Sequence, residues 1–423
     1  STEDKRNKPI FKLDKKFKRF RKPSLSDQIS YIINKKATPC ILFYFSREKV
    51  ENKARYAANL NFKIKKNVQL RHLFEDIFDD ITNEEYQLLN LDELYWMWSR
   101  GVAYHHAGLA PIVKEFVEFL FINRHIDILF ATETLSLGIN MPAKSIIIDS
   151  SFKFDGLKTR LISKSEFLQL TGRAGRRGID SKGYAYINYD KRIENSWYND
   201  LFDLKPNNLK SSYSNSYGSV LNLNNKYGEK KGIEMIKKSF YSYQNKLNDK
   251  ALETNYKAKL KVLNEMNYVT DLKKNKLLTE THRDNLILGI ELLNENNDIE
   301  FCLMFLASGI STSKYEISVH DKYNDLLTKF LITQEKVNKL EAFSGVKNKI
   351  NLDITWFSIF LEFYNSDNIE YTLSKFNVTL GDFIKACREA SEISQKVYSI
   401  YEIENFNKIA KKLKHNICLL YTS

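Results

Sequence analysis

Gln169-Leu170-Thr171-Gly172-Arg173-Ala174-Gly175-Arg176-Arg177-Gly178 carries the densest chemistry of the chain. Read as a helix, it places Gln169, Arg173 and Arg176 at i, i+4 and i+7, on one face. Gly172 and Gly175 then remove side chains about one turn apart on the adjacent stripe. An interior glycine weakens a helix by roughly 1 kcal/mol relative to alanine, so two of them need a compensating reason. The natural one is close approach by another backbone or a ligand. A guanidinium is always charged, planar and rich in donors, which suits it to phosphate oxygens. Two on one face, with a Gln beside them, grip a triphosphate and stabilise charge that develops as it is cleaved. The plainer alternative is a basic surface helix that merely touches nucleic acid. The order and spacing argue against it.

Around this stretch the chain alternates short apolar runs with helical patterns. Cys40-Ile41-Leu42-Phe43-Tyr44-Phe45 is a continuous apolar run, as in a strand buried on both faces of a parallel sheet. Ser46-Arg47 follows it, at the end where open α/β sheets place ligands. Further strands are predicted at 101–104, 127–131, 145–149 and 183–188. Ser24 with Asp27 predicts a capped helix, Pro111 opens another, and Ser163 with Glu166 forms a capping box before the arginine stretch. His105 and His106 are adjacent, but neighbouring strand residues point to opposite faces and no third ligand is near, which argues against a metal. Strands alternating with helices over 24–190 predict one parallel α/β domain.

After residue 195 the pattern changes. Residues 220–268 read as mostly helical. Tyr268-Val269-Thr270 and Leu277-Leu278-Thr279 flank Lys273-Lys274-Asn275-Lys276 and predict a small hairpin, which with the preceding helices would suit a winged-helix module. From Thr281 onwards only helices are expected. The predicted segments are a basic linker at 1–23, the α/β domain at 24–195, a winged-helix-like module at 196–280 and a helical domain at 281–417. The last six residues back-translate to a sequencing-adapter read-through and are set aside as a tail, 418–423.

The composition bounds the function. The chain has 423 residues, 43% hydrophobic and 28% charged, an ordinary globular balance. The net charge of +13 argues for a polyanionic partner, nucleic acid before membrane. Ser1–Ser24 hold ten Lys or Arg against three acidic residues, more than half of that excess. This segment reads equally as a phosphate-tracking connector or a solvated linker. The four cysteines form no C-x-x-C pair, so neither zinc nor a disulfide framework is expected. No secretory signal and no bilayer-length apolar run is present, which predicts a soluble, cytoplasmic protein.

Four blocks together carry a resemblance: Ile41–Arg47 (ILFYFSR), Gly101–Leu109 (GVAYHHAGL), Ala131–Ala143 (ATETLSLGINMPA) and Gln169–Asp180 (QLTGRAGRRGID). In order and spacing they resemble the second RecA-like domain of superfamily 2 helicases of the superkiller (Ski-like, DExH-box) type, ATP-dependent RNA helicases. Ser239–Gln244 looks like part of that family's winged-helix segment, and Gly381–Lys385 like a motif of its C-terminal helical (DSHCT-type) domain. The fold class implied is α/β: one RecA-like parallel-sheet domain followed by a winged-helix module and an α-helical bundle. The Walker A loop G-x-x-x-x-G-K-[ST] and the DExH box of the family's first RecA-like domain do not occur here.

The resemblance implies roles residue by residue. Gln169, Arg173 and Arg176 would face ATP with its Mg2+, held mainly by the absent first domain, and Arg176 with Arg173 would be the arginine finger. Gly138 would allow close backbone approach and Asn140 would meet the ribose. Ser46, Arg47, His106, Thr132 and Thr134 would hold a single strand. Lys153, Lys158 and Arg160 lie in a segment, 150–165, that resembles the duplex-separating hairpin of related helicases or is an ordinary surface loop. The implied activity is 3′-to-5′ RNA translocation and duplex unwinding on 3′-tailed or single-stranded RNA, with RNA-degradation machinery as partner. The alternatives are a DNA repair helicase of the same superfamily and a non-catalytic nucleic-acid-binding fragment. The chain alone is expected to be inactive.

Overall fold

The computed structural model describes residues 22–60, 62, 69–136, 141–155, 158–176, 178–203, 211, 215–244, 249–294, 297–310, 315–346 and 349–418. All of the expected basic linker but residues 22 and 23, and all of the expected tail but residue 418, lie outside them. The chain divides into two units, residues 1–208 with 420–423, and residues 209–419.

The first unit is built on five short parallel strands. They are β1 (Cys40–Phe43), β2 (Val102–His105), β3 (Ile128–Ala131), β4 (Ser145–Ile148) and, after a separate hairpin of β5 (Phe152–Phe154) and β6 (Thr159–Leu161), β7 (Tyr184–Ile187). The spatial order is β2-β3-β1-β4-β7. The registers Cys40↔Ile128, Val102↔Ile128, Cys40↔Ser145 and Ser145↔Tyr184 start all five strands in step. Every residue of β1 to β4 is buried, as continuous apolar runs demand when helices cover both faces. Those helices are α1 (Leu25–Asn34), α2 (Arg47–Asn59), α3 (Leu70–Phe78), α4 (Asn83–Leu88), α5 (Leu91–Trp98), α6 (Pro111–Ile122), α7 (Lys164–Thr171) and α8 (Asn195–Phe202). The expected capping boxes form at Ser24/Asp27 and Ser163/Glu166. Beside β2, the rings of Phe78, Trp98 and Phe116 pack with centroids 5.1–6.3 Å apart.

The second unit has helices and no strand among its described residues. Its helices are α9 (Tyr217–Lys237), α10 (Phe240–Gln244), α11 (Asp249–Glu265), α12 (Leu272–Thr281), α13 (Leu286–Ile290), α14 (Ile299–Ser308), α15 (Asn324–Ser344), α16 (Thr355–Ser366), α17 (Ile369–Phe376), α18 (Leu380–Tyr401) and α19 (Glu404–Cys418). The centre is α14, whose residues 301–308 are all buried. Phe301 packs on Phe330 of α15 at 5.7 Å and Phe305 on Phe406 of α19 at 5.2 Å. The entry of α9 is fixed by side chains far along the chain. Asp284 accepts from the amides of Tyr217 and Gly218, at 2.8 and 3.2 Å, and the Tyr217 hydroxyl donates to the buried Glu341 at 2.8 Å.

The hairpin expected at 268–279 is not formed, and α12 occupies most of that stretch. Asp271 caps it, accepting from the amides of Lys273 and Lys274, and Leu277 and Leu278 are fully buried. The Lys-Lys-Asn-Lys run lacks the glycine that a tight hairpin turn wants, so the cap takes it into a helix. No helix among the described residues is long and apolar enough to cross a membrane.

Candidate functional site

The arginine stretch is half helix and half loop. Helix α7 stops at Thr171 and Gly172 is its C-cap. Gly175 and Gly178 take φ of +90° and +77°, a region that glycine enters without the Cβ penalty. The single helical face expected for Gln169, Arg173 and Arg176 is therefore corrected: Gln169 lies on the last turn of α7, Arg173 just past its cap, and Arg176 in the loop. The expected close approach by another backbone is found at Gly175, where a Cβ would stand 3.2 Å from the Gly183 Cα, and not at Gly172, whose near neighbours are carbonyls of its own helix. A Cβ on Gly183 would stand 2.5 Å from backbone atoms of Ala174 and Gly175.

The loop is pinned to one end of the sheet. The Ala143 amide donates to the Arg173 carbonyl at 2.9 Å, and the Gly175 amide donates to the Ala143 carbonyl at 2.7 Å. Ala143 stands two residues before β4 begins, so Arg173 to Arg176 sit at the N-terminal end of the sheet. There Arg176 is about nine-tenths buried and paired with Asp180, its Nε and Nη2 donating to the two carboxylate oxygens at 2.6 Å each. The Arg176 amide donates to the same carboxylate at 3.1 Å. The guanidinium holds the Asp180 carboxyl below the usual range. Arg176 Nη1 is buried and meets no hydrogen-bond partner among the described residues.

The strand-holding candidates gather at the opposite end. Ser46 caps α2 just after β1, His106 follows β2 and Thr132 follows β3. The hydroxyls of Thr132 and Thr134 lie 2.8 Å apart. Arg47 packs against the next turn, since a Cβ on Gly108 would meet its Nη1 at 3.0 Å. Strands of four residues rise only about 10 Å, so the two ends are near one another. Residues 132–143 run from one to the other, from the end of β3 to the start of β4. Gly138 and Asn140, within that run, lie outside the described residues.

His106 is not presented to a ligand. It is 2% exposed, its Nδ1 accepts from the Gly108 amide at 3.0 Å, and its Nε2 lies 3.0 Å from Glu51. With Nδ1 taken as an acceptor, Nε2 carries the proton donated to the carboxylate. Burial pushes its pKa down, against the opposing pull of Glu51. Its expected direct contact with a strand is thus replaced by an indirect task, shaping the turn that Arg47 leans on. His105 turns the other way, to Glu118 at 2.8 Å.

The segment after β4 is a hairpin, and its basic residues are largely committed within the protein. Lys153 Nζ lies 2.7 Å from Glu133 and 2.9 Å from Glu166. Arg160 donates through Nη1 and Nη2 to the two oxygens of Glu166, at 2.8 Å each, and reaches Asp155 at 3.3 Å. Arg160 foremost, with Lys153 and the Ser163 cap, drives the Glu166 carboxyl far below the usual range. Lys158 is exposed, and so is Phe154, the last residue of β5. Asp180, Glu133, Asp155, Glu51 and Gly183 carry this geometry without being expected to. Only Asp180 had a usable signal, standing four residues after Arg176.

Residues 77–178 match a family model described as the helicase conserved C-terminal domain. The chain is similar to the DExH-box ATP-dependent RNA helicase DExH10 of Arabidopsis thaliana, 32% identical over 62% of this chain and 28% of the relative. It is 34% identical to the human exosome RNA helicase MTR4 over 51% of this chain and 21% of the relative. To the antiviral helicase SKI2 of Saccharomyces cerevisiae it is 33% identical over 56% of this chain and 18% of the relative. The chain thus spans about a quarter of the length of the curated relatives it matches. Family model and relatives both support the resemblance to a C-terminal portion of Ski-like superfamily 2 helicases.

Proposed function

We propose, with that resemblance to the Ski-like superfamily 2 helicases as premise, that the chain supplies the second RecA-like domain and a helical unit to an ATP-driven RNA helicase. The observation that carries this is the division of chemistry between the two ends of one sheet. Hydroxyls and a guanidinium (Ser46, Arg47, Thr132, Thr134) lie at the C-terminal ends of the strands, and an arginine loop lies at the N-terminal end. One backbone run, 132–143, joins them.

Hydroxyls beside a guanidinium suit the phosphates and sugars of a single strand, which position it without reading sequence. Arg176, Arg173 and Gln169 suit the charge of a triphosphate held by a P-loop half that this sequence does not contain. In this geometry Arg176 is about nine-tenths buried against Asp180, so it would have to turn outward to meet the nucleotide. Bound ATP with Mg2+ would supply the phosphoryl group whose transfer releases free energy. The resemblance implies that Mg2+ would reach the chain with the nucleotide. Closure of the two halves follows if ATP binds the closed state better. The hairpin β5–β6, with Phe154 and Lys158 exposed, would meet the duplex, and the family resemblance implies 3′-to-5′ travel.

The test is ATPase and unwinding by this chain joined to its P-loop half, on 3′-tailed RNA and DNA duplexes. Arg176→Ala should lower turnover by at least about 10³-fold. The 423-residue chain alone should bind ATP poorly and hydrolyse none. Hydrolysis by the chain alone that Arg176→Ala abolishes would overturn the proposal, and a strong preference for DNA would reassign the substrate.

A further inference from the structure

We infer that Phe240 and Tyr243 form a stacking platform for the bases of single-stranded RNA, a second contact surface carried by the helical unit. The choice of RNA rests on the proposed function, and the site lies outside the first unit to which that function assigns the strand.

The net charge of the chain is not spread evenly. Residues 226–261 hold ten lysines against four acidic residues, and together with the first 24 residues they account for the whole excess of +13. Such a concentration attracts a polyanion. Helix α10 stands in the middle of this stretch. Phe240 and Tyr243, three residues apart and so on one side of its turn, are 50% and 72% exposed. Their rings are nearly parallel, with 16° between the planes and 6.3 Å between the centroids. Single exposed apolar residues are ordinary, but two parallel rings in so basic a stretch are not a random scatter. The rest of α10 fixes them. Ser242 is buried, its amide donates to the Ser239 hydroxyl at 3.3 Å, and the Tyr243 amide donates to the Ser239 carbonyl at 3.1 Å. Gln244 accepts from the Ser211 amide at 2.6 Å. The rings are thus held out on an anchored turn, so little ordering remains to be done when a base arrives. Lys237, just before them, is paired with Glu253 at 2.6 Å, whereas Lys238 is exposed. Flat π-faces beside lysines bind a single strand without reading its sequence, because every base stacks and the cations meet the phosphates. An apolar protein partner would use the rings and leave the lysines without a counter-charge.

The test is oligouridine binding by the full 423-residue chain, read by fluorescence anisotropy at several salt concentrations. Phe240→Leu with Tyr243→Leu keeps apolar bulk and removes both rings. Affinity should fall by at least about 5-fold, while the slope of log affinity against log salt stays at the parent's, because no charge has been removed. Tyr243→Phe keeps the ring and should bind as the parent does. Lys238→Gln should weaken binding and reduce the slope by about 0.7. Equal affinity in the double variant would overturn the platform and leave the rings to a protein partner. A loss in Tyr243→Phe as large as in the double variant would assign the contact to the hydroxyl and overturn stacking. A parent chain with no affinity for RNA would sink the functional proposal itself, and not only this extension of it. A second measurement locates the contact. With 5-iodouridine in the oligomer, photo-cross-links should map to Phe240 or Tyr243, and cross-links confined to the first unit would refute the site.

Discussion

Glu166, on the first turn of α7, accepts from both terminal nitrogens of Arg160, on the second strand of the hairpin, at 2.8 Å each. The same carboxylate caps its own helix through the Ser163 amide and receives Lys153 from the first strand. Lys153 in turn reaches Glu133, the residue after Thr132. One carboxylate thus ties the hairpin, the helix that leads into the arginine loop, and the turn that begins the run to β4. Glu166→Gln keeps a capping-box partner at that position but discharges the centre. It should destabilise the first unit by about 1–2 kcal/mol, since the pairs are only partly buried. Hydrogen exchange should quicken at the amides of β5 and β6. Unchanged exchange there, with the urea midpoint also unmoved, would show that the hairpin is held by something else.

The pH dependence of that tie has a definite sign. Its partners, Arg160 first, hold the Glu166 carboxyl far below its ordinary value, so the folded state binds its proton more weakly than the unfolded state. The stability it contributes is present in full above the usual carboxylate range, about pH 4–5, and is lost as the pH falls through and below it. The difference in unfolding free energy between the parent and Glu166→Gln should therefore shrink as the pH is taken from 7 towards 3. A constant difference across that range would contradict the assignment.

Gly183 holds the arginine loop from the other side. A Cβ there would lie 2.5 Å from the carbonyl carbon and oxygen of Ala174 and the amide of Gly175, and backbone cannot swing away as a side chain can. Gly183→Ala should displace residues 174–176 and lower ATP turnover of the joined protein by about 10²-fold, the scale of a misplacement by about 1 Å. RNA binding at the other end of the sheet should change far less. Turnover equal to the parent would mean that the loop adjusts without moving Arg176.

The sheet was legible because four-residue apolar runs, bounded by turns and separated by helical patterns, leave few alternatives to a buried parallel strand. The end of α7 was less so. Gln169, Arg173 and Arg176 satisfy helical spacing, and only the positive φ of Gly175 and the bridge to Ala143 end the helix there. Those are long-range facts, not written at the stretch itself. The segment 268–279 misled for the converse reason. A polar run between two apolar pairs suits a turn as well as an exposed helix face, and the Asp271 cap decided it. The ion pairs of Lys153 and Arg160 were illegible because their partners, Glu133, Asp155 and Glu166, come together only when the hairpin folds back on α7.

Arg47 and His106 were expected to do the same work, and the geometry separates them. Arg47 lies beside the turn at the C-terminal end of the strands, whereas His106 is buried beneath it with both nitrogens occupied. A side chain that neutralises a phosphate releases a counterion, and for a single strand each such contact adds about 0.7 to the slope of log affinity against log salt. Arg47→Ala should weaken RNA binding and reduce that slope by about 0.7. His106→Ala should leave the slope alone and destabilise the first unit by about 1–3 kcal/mol, because the buried Gly108 amide loses its acceptor while Glu51 keeps Arg55. Burial pushes the imidazole pKa below its ordinary value, so what it contributes is full above about pH 6.5 and lost as the pH falls beneath that. Titrations of RNA binding at several salt concentrations, with urea unfolding at pH 5 and pH 8, read both halves. A salt slope that falls in His106→Ala while its stability stays at the parent's would return His106 to the strand-contacting surface and remove the buried turn from this account.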